Sequence, residues 1–245
     1  MKKYKEDVEI FIPNKKIGDK LPFAAKEAYN LLRTNISFSL NKKEGKGNII
    51  GIVSAEPQDG KSFTSLNLAY TLAVDNNKVV LIDGDMRKPT IDKYFEIDNV
   101  PGLSDIFTNP TKEYPIHKSV LTEKMDLICC GTIPPNPSQL LSSEEMKNIL
   151  DNLSSKYDYV VIDLPPINVV ADSLGASKYF DGIIVVSRHN KTRKKDLQEA
   201  IRQLTFVQAK ILGIVYNGYA REGKYYYRTK KNYYYYEEKN KGGKE

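Results

Sequence analysis

Three stretches of this sequence place phosphate- and cation-handling side chains directly after an apolar run. The first is Ala55-Glu56-Pro57-Gln58-Asp59-Gly60-Lys61-Ser62, which ends in Gly-Lys-Ser. A tight loop of this kind, opening a helix, can turn the backbone amides of Gln58, Asp59, Gly60, Lys61, Ser62 and Phe63 toward phosphate oxygens; Gly60 permits the turn because it has no Cβ. Lys61 can then reach the β- and γ-phosphates of a nucleotide, and the Ser62 hydroxyl can ligate Mg²⁺. The usual pattern starts with Gly, and here Ala55 stands in that place, a change of one methyl. The second stretch is Asp83-Gly84-Asp85-Met86-Arg87 and the third is Asp163-Leu164-Pro165-Pro166. An acid at such a point is often only a turn former. Three acids from two runs beside a phosphate loop can hold the water shell of Mg²⁺, with Ser62, Asp83 and Asp163 as the metal set, and can accept a proton from an attacking group.

The segments around these residues predict how they are positioned. Ile49 to Val53, Val79 to Ile82, Tyr159 to Ile162, Ile183 to Val186 and Ile211 to Tyr216 are continuous apolar runs, as expected of strands covered on both faces in a parallel sheet. Met125 to Cys129 predicts a further strand. Helical patterning over Lys61 to Val74, Ser143 to Leu153 and Lys194 to Phe206 alternates with them, which gives an α/β fold with a doubly wound, mainly parallel sheet flanked by helices. Ligands of such sheets bind at the C-terminal ends of the strands, where all three stretches fall. Pro22 to Leu40 predicts another helix, with Ala25, Ala28, Tyr29, Leu32, Ile36 and Leu40 at three- and four-residue spacing. The expected division is an N-terminal segment at 1–47, a phosphate-binding domain at 48–218 and a tail at 219–245.

Charge separates the tails from the body. The chain of 245 residues has a formal net charge of +6. Residues 1–20 hold six lysines against four acids, 219–245 hold eight basic residues against four acids, and 21–218 are neutral. A neutral body argues against a nucleic-acid-binding surface. The tail carries Tyr225, Tyr226, Tyr227, Tyr233, Tyr234, Tyr235 and Tyr236, seven of the 17 tyrosines, with no periodicity that would give it a buried face, and it reads as disordered. Cys129 and Cys130 are adjacent, unsuited to an unstrained mutual disulfide, and read as reduced core thiols in a reducing cytoplasm. No apolar run approaches the ~20 residues of a membrane span, and the N-terminus leads into no signal-peptide core.

The phosphate loop, Asp-Gly-Asp-Met-Arg-Lys-Pro at 83–89, Asp-Leu-Pro-Pro at 163–166, Pro101-Gly102-Leu103-Ser104 and Gly131-Thr132-Ile133-Pro134-Pro135-Asn136-Pro137-Ser138-Gln139-Leu140-Leu141 together resemble the bacterial protein-tyrosine kinases of capsule and exopolysaccharide systems. The likeness spans roughly residues 20 to 236 and is greatest to the short Gram-positive form. It implies an ATP- and Mg²⁺-dependent enzyme that phosphorylates its own tail tyrosines, from one subunit to another, in control of polysaccharide synthesis and export. It also implies a separate transmembrane polysaccharide co-polymerase whose cytoplasmic tail activates the kinase at the inner face of the membrane, and a cognate tyrosine phosphatase. The family's Glu-x-x-Arg-x-x-Arg helix, which helps assemble a ring of subunits, octameric in the fullest case, is matched here by Glu27, Asn30 and Arg33, with the middle arginine replaced. Related folds place a residue like Asn217 against the adenine. Asp83 or Asp85 is the candidate base, and Arg87 is expected either to reach phosphate or to stabilise that carboxylate pair. The rival reading is a partitioning or cell-division ATPase that switches on dimerisation. Those ATPases carry a lysine where this chain has Glu56.

Overall fold

The computed structural model describes residues 16–41, 43–108 and 113–219. Six strands, β1 (Asn48–Ser54), β2 (Val79–Asp83), β3 (Met125–Ile128), β4 (Tyr159–Asp163), β5 (Gly182–Arg188) and β6 (Ile211–Asn217), form one parallel sheet in the order β3-β2-β4-β1-β5-β6. The Val and Ile runs of β1, β2, β4 and β5 are covered by helices on both faces, whereas β6, expected to be buried likewise, lies at the sheet edge and is half-buried or exposed along its length. On one face lie α1 (Phe23–Ser39), α2 (Lys61–Val74) and α3 (Ile91–Phe95), whose Ile36, Leu66, Leu72 and Ile91 pack with Ile50, Ile52, Leu81 and Val161 of the sheet. On the other lie α4 (Leu103–Thr108), α5 (Pro137–Leu141), α6 (Glu144–Ser154), α7 (Asp172–Ala176) and α8 (Lys194–Phe206), packed on Ile49, Val53, Val80, Val160 and Val185.

The predicted elements are found close to their expected bounds, with α2 and α8 spanning the anticipated residues. The short helices α3, α4, α5 and α7 are additions, each too brief for periodicity to reveal. Tyr29 and Ile36 of α1, and Leu40 just after it, face inward as expected, whereas Ala28 is exposed. Both cysteines are free and buried just past β3, and burial pushes the Cys129 thiol up to about 12. No helix among the described residues is long and apolar enough to cross a membrane.

Register brings the functional edge together. Asp83, the last residue of β2, pairs directly with Asp163, the last of β4, and Asp163 in turn pairs with Ile52 of β1. The strand order therefore converts three distant sequence positions into one cluster beside the loop that leaves β1.

Candidate active site

The loop between β1 and α2 is held from inside. Ala55 is completely buried, so its methyl is accommodated in the core where a glycine is usual. Ser54 Oγ donates to the Glu56 carbonyl at 2.8 Å, and the Glu56 amide donates to Asp59 Oδ2 at 3.1 Å, closing the turn. Gly60 precedes α2 at φ +94°, a left-handed conformation that disfavours any side chain. A Cβ there would also collide with Asn217 Nδ2. The first amides of α2 have no intrahelical acceptors, and Gly60 supplies no side-chain cap, so the helix end is open to an anion.

Lys61 points into the carboxylates. Its Nζ lies 2.8 Å from Asp85 Oδ2 and 3.2 Å from Asp163 Oδ2. Burial pushes Lys61 toward neutrality, but Asp163 and Asp85 outweigh it and hold the ammonium charged. Ser65 Oγ donates to the other Asp163 oxygen at 3.1 Å, and Thr90 Oγ1 to Ser62 Oγ at 3.1 Å. Asp83 accepts from the Thr90 and Ile91 amides at 3.0 Å each and from the Asp85 amide at 3.2 Å. Its complete burial, with Asp163 alongside, raises it to about 7. Gly84 is needed between them, since its amide donates to the Asp163 carbonyl at 2.8 Å and a Cβ would stand 2.9 Å from that oxygen.

The residues fit a nucleotide with its divalent cation. Three buried carboxylates meet one ammonium, an excess of negative charge that a cation would offset. Among the described residues no three or more His, Cys, Asp or Glu side chains are grouped so as to hold a metal ion by themselves. The excess of buried carboxylate charge beside the Ser62 hydroxyl is of a kind that suits Mg²⁺, which keeps waters and shares phosphate oxygens with one hydroxyl and one or two acids.

Lys61, not Arg87, is the cation in contact with Asp85 and Asp163, while Arg87 makes a two-pronged ion pair with Asp172, Nε to Oδ2 at 2.8 Å and Nη2 to Oδ1 at 3.0 Å. Ser138 Oγ also donates to Asp172 Oδ1. Although burial works against it, these partners hold the Asp172 carboxyl below the usual carboxylate range. Asn217 donates to the Asp59 carbonyl at 3.0 Å. Behind the loop, Arg188 Nη1 donates to the Gln58 carbonyl at 3.1 Å and Lys191 Nζ to the Pro57 carbonyl.

Sequence reasoning missed Ser65, Thr90, Ser138, Asp172, Arg188 and Lys191. Ser138 lay within a segment already singled out, and Arg188 ends a strand at the functional edge. Nothing in the sequence alone marks Asp172. Of the assembly residues, Glu27 is exposed and accepts from Asn30, and Arg33 is paired with Asp75 of its own chain at 3.0 Å. Tyr225, Tyr226, Tyr227 and Tyr233 to Tyr236, like the expectation of a disordered tail, lie outside the described residues.

Known proteins resemble this chain in sequence and fold. The family model described as ParA, NUBPL iron-transfer P-loop NTPase, matches residues 46–241. Tyrosine-protein kinase YwqD of Bacillus subtilis is 36% identical, over 78% of this chain and 80% of the relative. The putative tyrosine-protein kinase CapB of Staphylococcus aureus is 35% identical, over 82% and 87%. The chain spans only 27% of a longer relative, tyrosine-protein kinase ptk of Acinetobacter johnsonii, at 34% identity. Among solved structures, the kinase domain of Escherichia coli tyrosine kinase ETK superposes with a TM-score of 0.78 at 29% identity, covering 86% of this chain and 82% of that one. The septum site-determining protein MinD of Pyrococcus horikoshii, at 24% identity and a TM-score of 0.60 over 72% of each chain, shares the fold.

Proposed function

This chain belongs to the bacterial protein-tyrosine kinases within the ParA-like P-loop NTPases, and from that premise we propose that it transfers the γ-phosphoryl group of ATP to tyrosines of its own C-terminal cluster. The observation that carries the reading is the convergence of Lys61, Asp85 and Asp163 at the open end of α2, beside Ser62. With ATP bound, Lys61 exchanges a carboxylate for the β- and γ-phosphates, and the loop amides from Gln58 to Phe63 surround them. Ser62, Asp83 and Asp163 would hold Mg²⁺, which neutralises charge on the transferring phosphate. A tyrosine phenol, with a pKa near ~10, is about a thousandth ionised at pH 7. Asp83 or Asp85 would accept its proton.

The tail is presented by one subunit to another within a homo-oligomer, and Asn217 serves as a contact for the adenine. A transmembrane polysaccharide co-polymerase brings the kinase to the membrane and activates it, a phosphatase reverses the modification, and the output is control of capsule or exopolysaccharide synthesis. The ATPase-switch alternative is disfavoured by position 56. Instead of a lysine available to a partner's nucleotide, Glu56 accepts from Asn168 Nδ2 of its own chain at 3.3 Å.

The test is incubation of the full chain with labelled ATP and Mg²⁺, with and without the cytoplasmic tail of the activator. Label on Tyr225 to Tyr236 that disappears in Lys61→Met supports the kinase. Phosphate release without tyrosine labelling would favour the ATPase.

A further inference from the structure

Asp172 is wholly buried, whereas the Arg87 side chain it grips is 46% exposed. Both carboxylate oxygens are engaged, one by Nε and the other by Nη2 and the Ser138 hydroxyl. Three segments meet on this one carboxylate: the loop that follows Asp83 and Asp85, α5 and α7. A pair serving only to staple segments gains little from leaving its cation half in water. A fork held along one edge has its direction set and its other edge free to act, which a flexible lysine could not reproduce. Asp85, two residues away, is paired with Lys61 instead.

We propose that Asp172, braced by Ser138, is a positioning residue that fixes the Arg87 guanidinium at the mouth of the site, with its outward edge presented to the phosphoryl oxygens during transfer. This rests on the kinase reading above.

The experiment uses the full chain as kinase and the Lys61→Met chain as tyrosine acceptor, so that kcat and KM are both defined. Asp172→Asn and Arg87→Lys should each lower kcat about 10- to 100-fold, with KM for ATP changed by no more than about threefold. The double variant should be no worse than either alone. Ser138→Ala, the milder change should Asp172→Asn fail to fold, should lower kcat by a smaller factor in the same pattern. Independently of catalysis, the Nε–H resonance of Arg87 in ¹⁵N-labelled protein should be slow to exchange in the wild type and lost in Asp172→Asn. Wild-type kcat in a folded Asp172→Asn chain, or a loss shared with ATP affinity and thermal stability while the Nε–H signal persists, overturns the proposal alone. No transfer by the wild type under activated conditions overturns the kinase reading and this inference with it.

Discussion

Asn217 Nδ2 donates to the carbonyl of Asp59 at 3.0 Å, which ties the end of β6 to the phosphate loop one residue before Gly60. The same amide fills the space that a side chain at position 60 would need. Gly60→Ala therefore meets two penalties, a left-handed backbone costing about 1–2 kcal/mol and a collision with Asn217. Nucleotide affinity should fall at least about 10-fold, as measured by displacement of a fluorescent ATP analogue. Asn217→Ala relieves the collision, so the double variant should recover part of that loss. If Gly60→Ala binds nucleotide normally, the latch does not set the loop's conformation.

Asp83 gives a pH dependence of defined sign. Its folded pKa of about 7 lies above the ordinary carboxylate value near about 4, because burial and then Asp163 disfavour its charge. Between those values the native chain binds more protons than the unfolded one, so nucleotide-free stability falls as pH rises through that window. Thermal melts from pH 5 to 8 should show this decline. Asp83→Asn should flatten it and melt higher than the wild type at pH 8 while losing activity. A pH-independent Asp83→Asn that is also less stable at pH 8 would count against an electrostatic cost at this site.

Arg188 and Lys191 act on the loop from behind. By taking up the outward carbonyls of Gln58 and Pro57, they favour the peptide orientation that sends the amides inward to phosphate. Arg188→Ala combined with Lys191→Ala should weaken nucleotide binding about 10-fold and also lower the melting temperature, because Lys191 faces the buried Asp59 carboxylate at 3.7 Å. Unchanged binding by calorimetry would show that the loop keeps its shape without them.

The sheet was legible because β1, β2, β4 and β5 are covered on both faces, so their apolar runs are unbroken, and because three of them, β2, β4 and β1, lead into residues of evident chemistry: Asp83, Asp163 and the loop beginning at Ala55. The pairing of Asp83 with Asp163 could not be read, since strand order is a property of the whole sheet. The partner of Arg87 was hidden for a related reason. Sequence places Arg87 beside Asp83 and Asp85, but its partner, Asp172, arrives from the far side of β4 on a helix too short to leave a periodic trace. Thr90 and Ser65 were missed because hydroxyls are common and acquire meaning only from the oxygen they face.

The outer face of α1 offers the last prediction. Phe23, Leu31 and Phe38 recur at spacings of eight and seven residues, which aligns them on one stripe, while Tyr29 and Ile36 are turned inward. Phe38 is 87% exposed and Leu31 62%, so neither contributes much to the core. Arg33 is already held by Asp75 of its own chain, so, on the homo-oligomer proposed above, the apolar stripe with Glu27 along it is the surface expected to meet a second subunit. Leu31→Glu with Phe38→Glu should leave the melting temperature within a few degrees of wild type and shift the protein toward monomer in light scattering. If tails are presented between subunits, the rate of tail labelling should drop in the same variant and recover as its concentration is raised. Arg33→Ala should affect assembly less. Assembly that survives the double glutamate variant but is abolished by Arg33→Ala would instead place the contact on the arginine and show that the Asp75 pair opens when subunits meet.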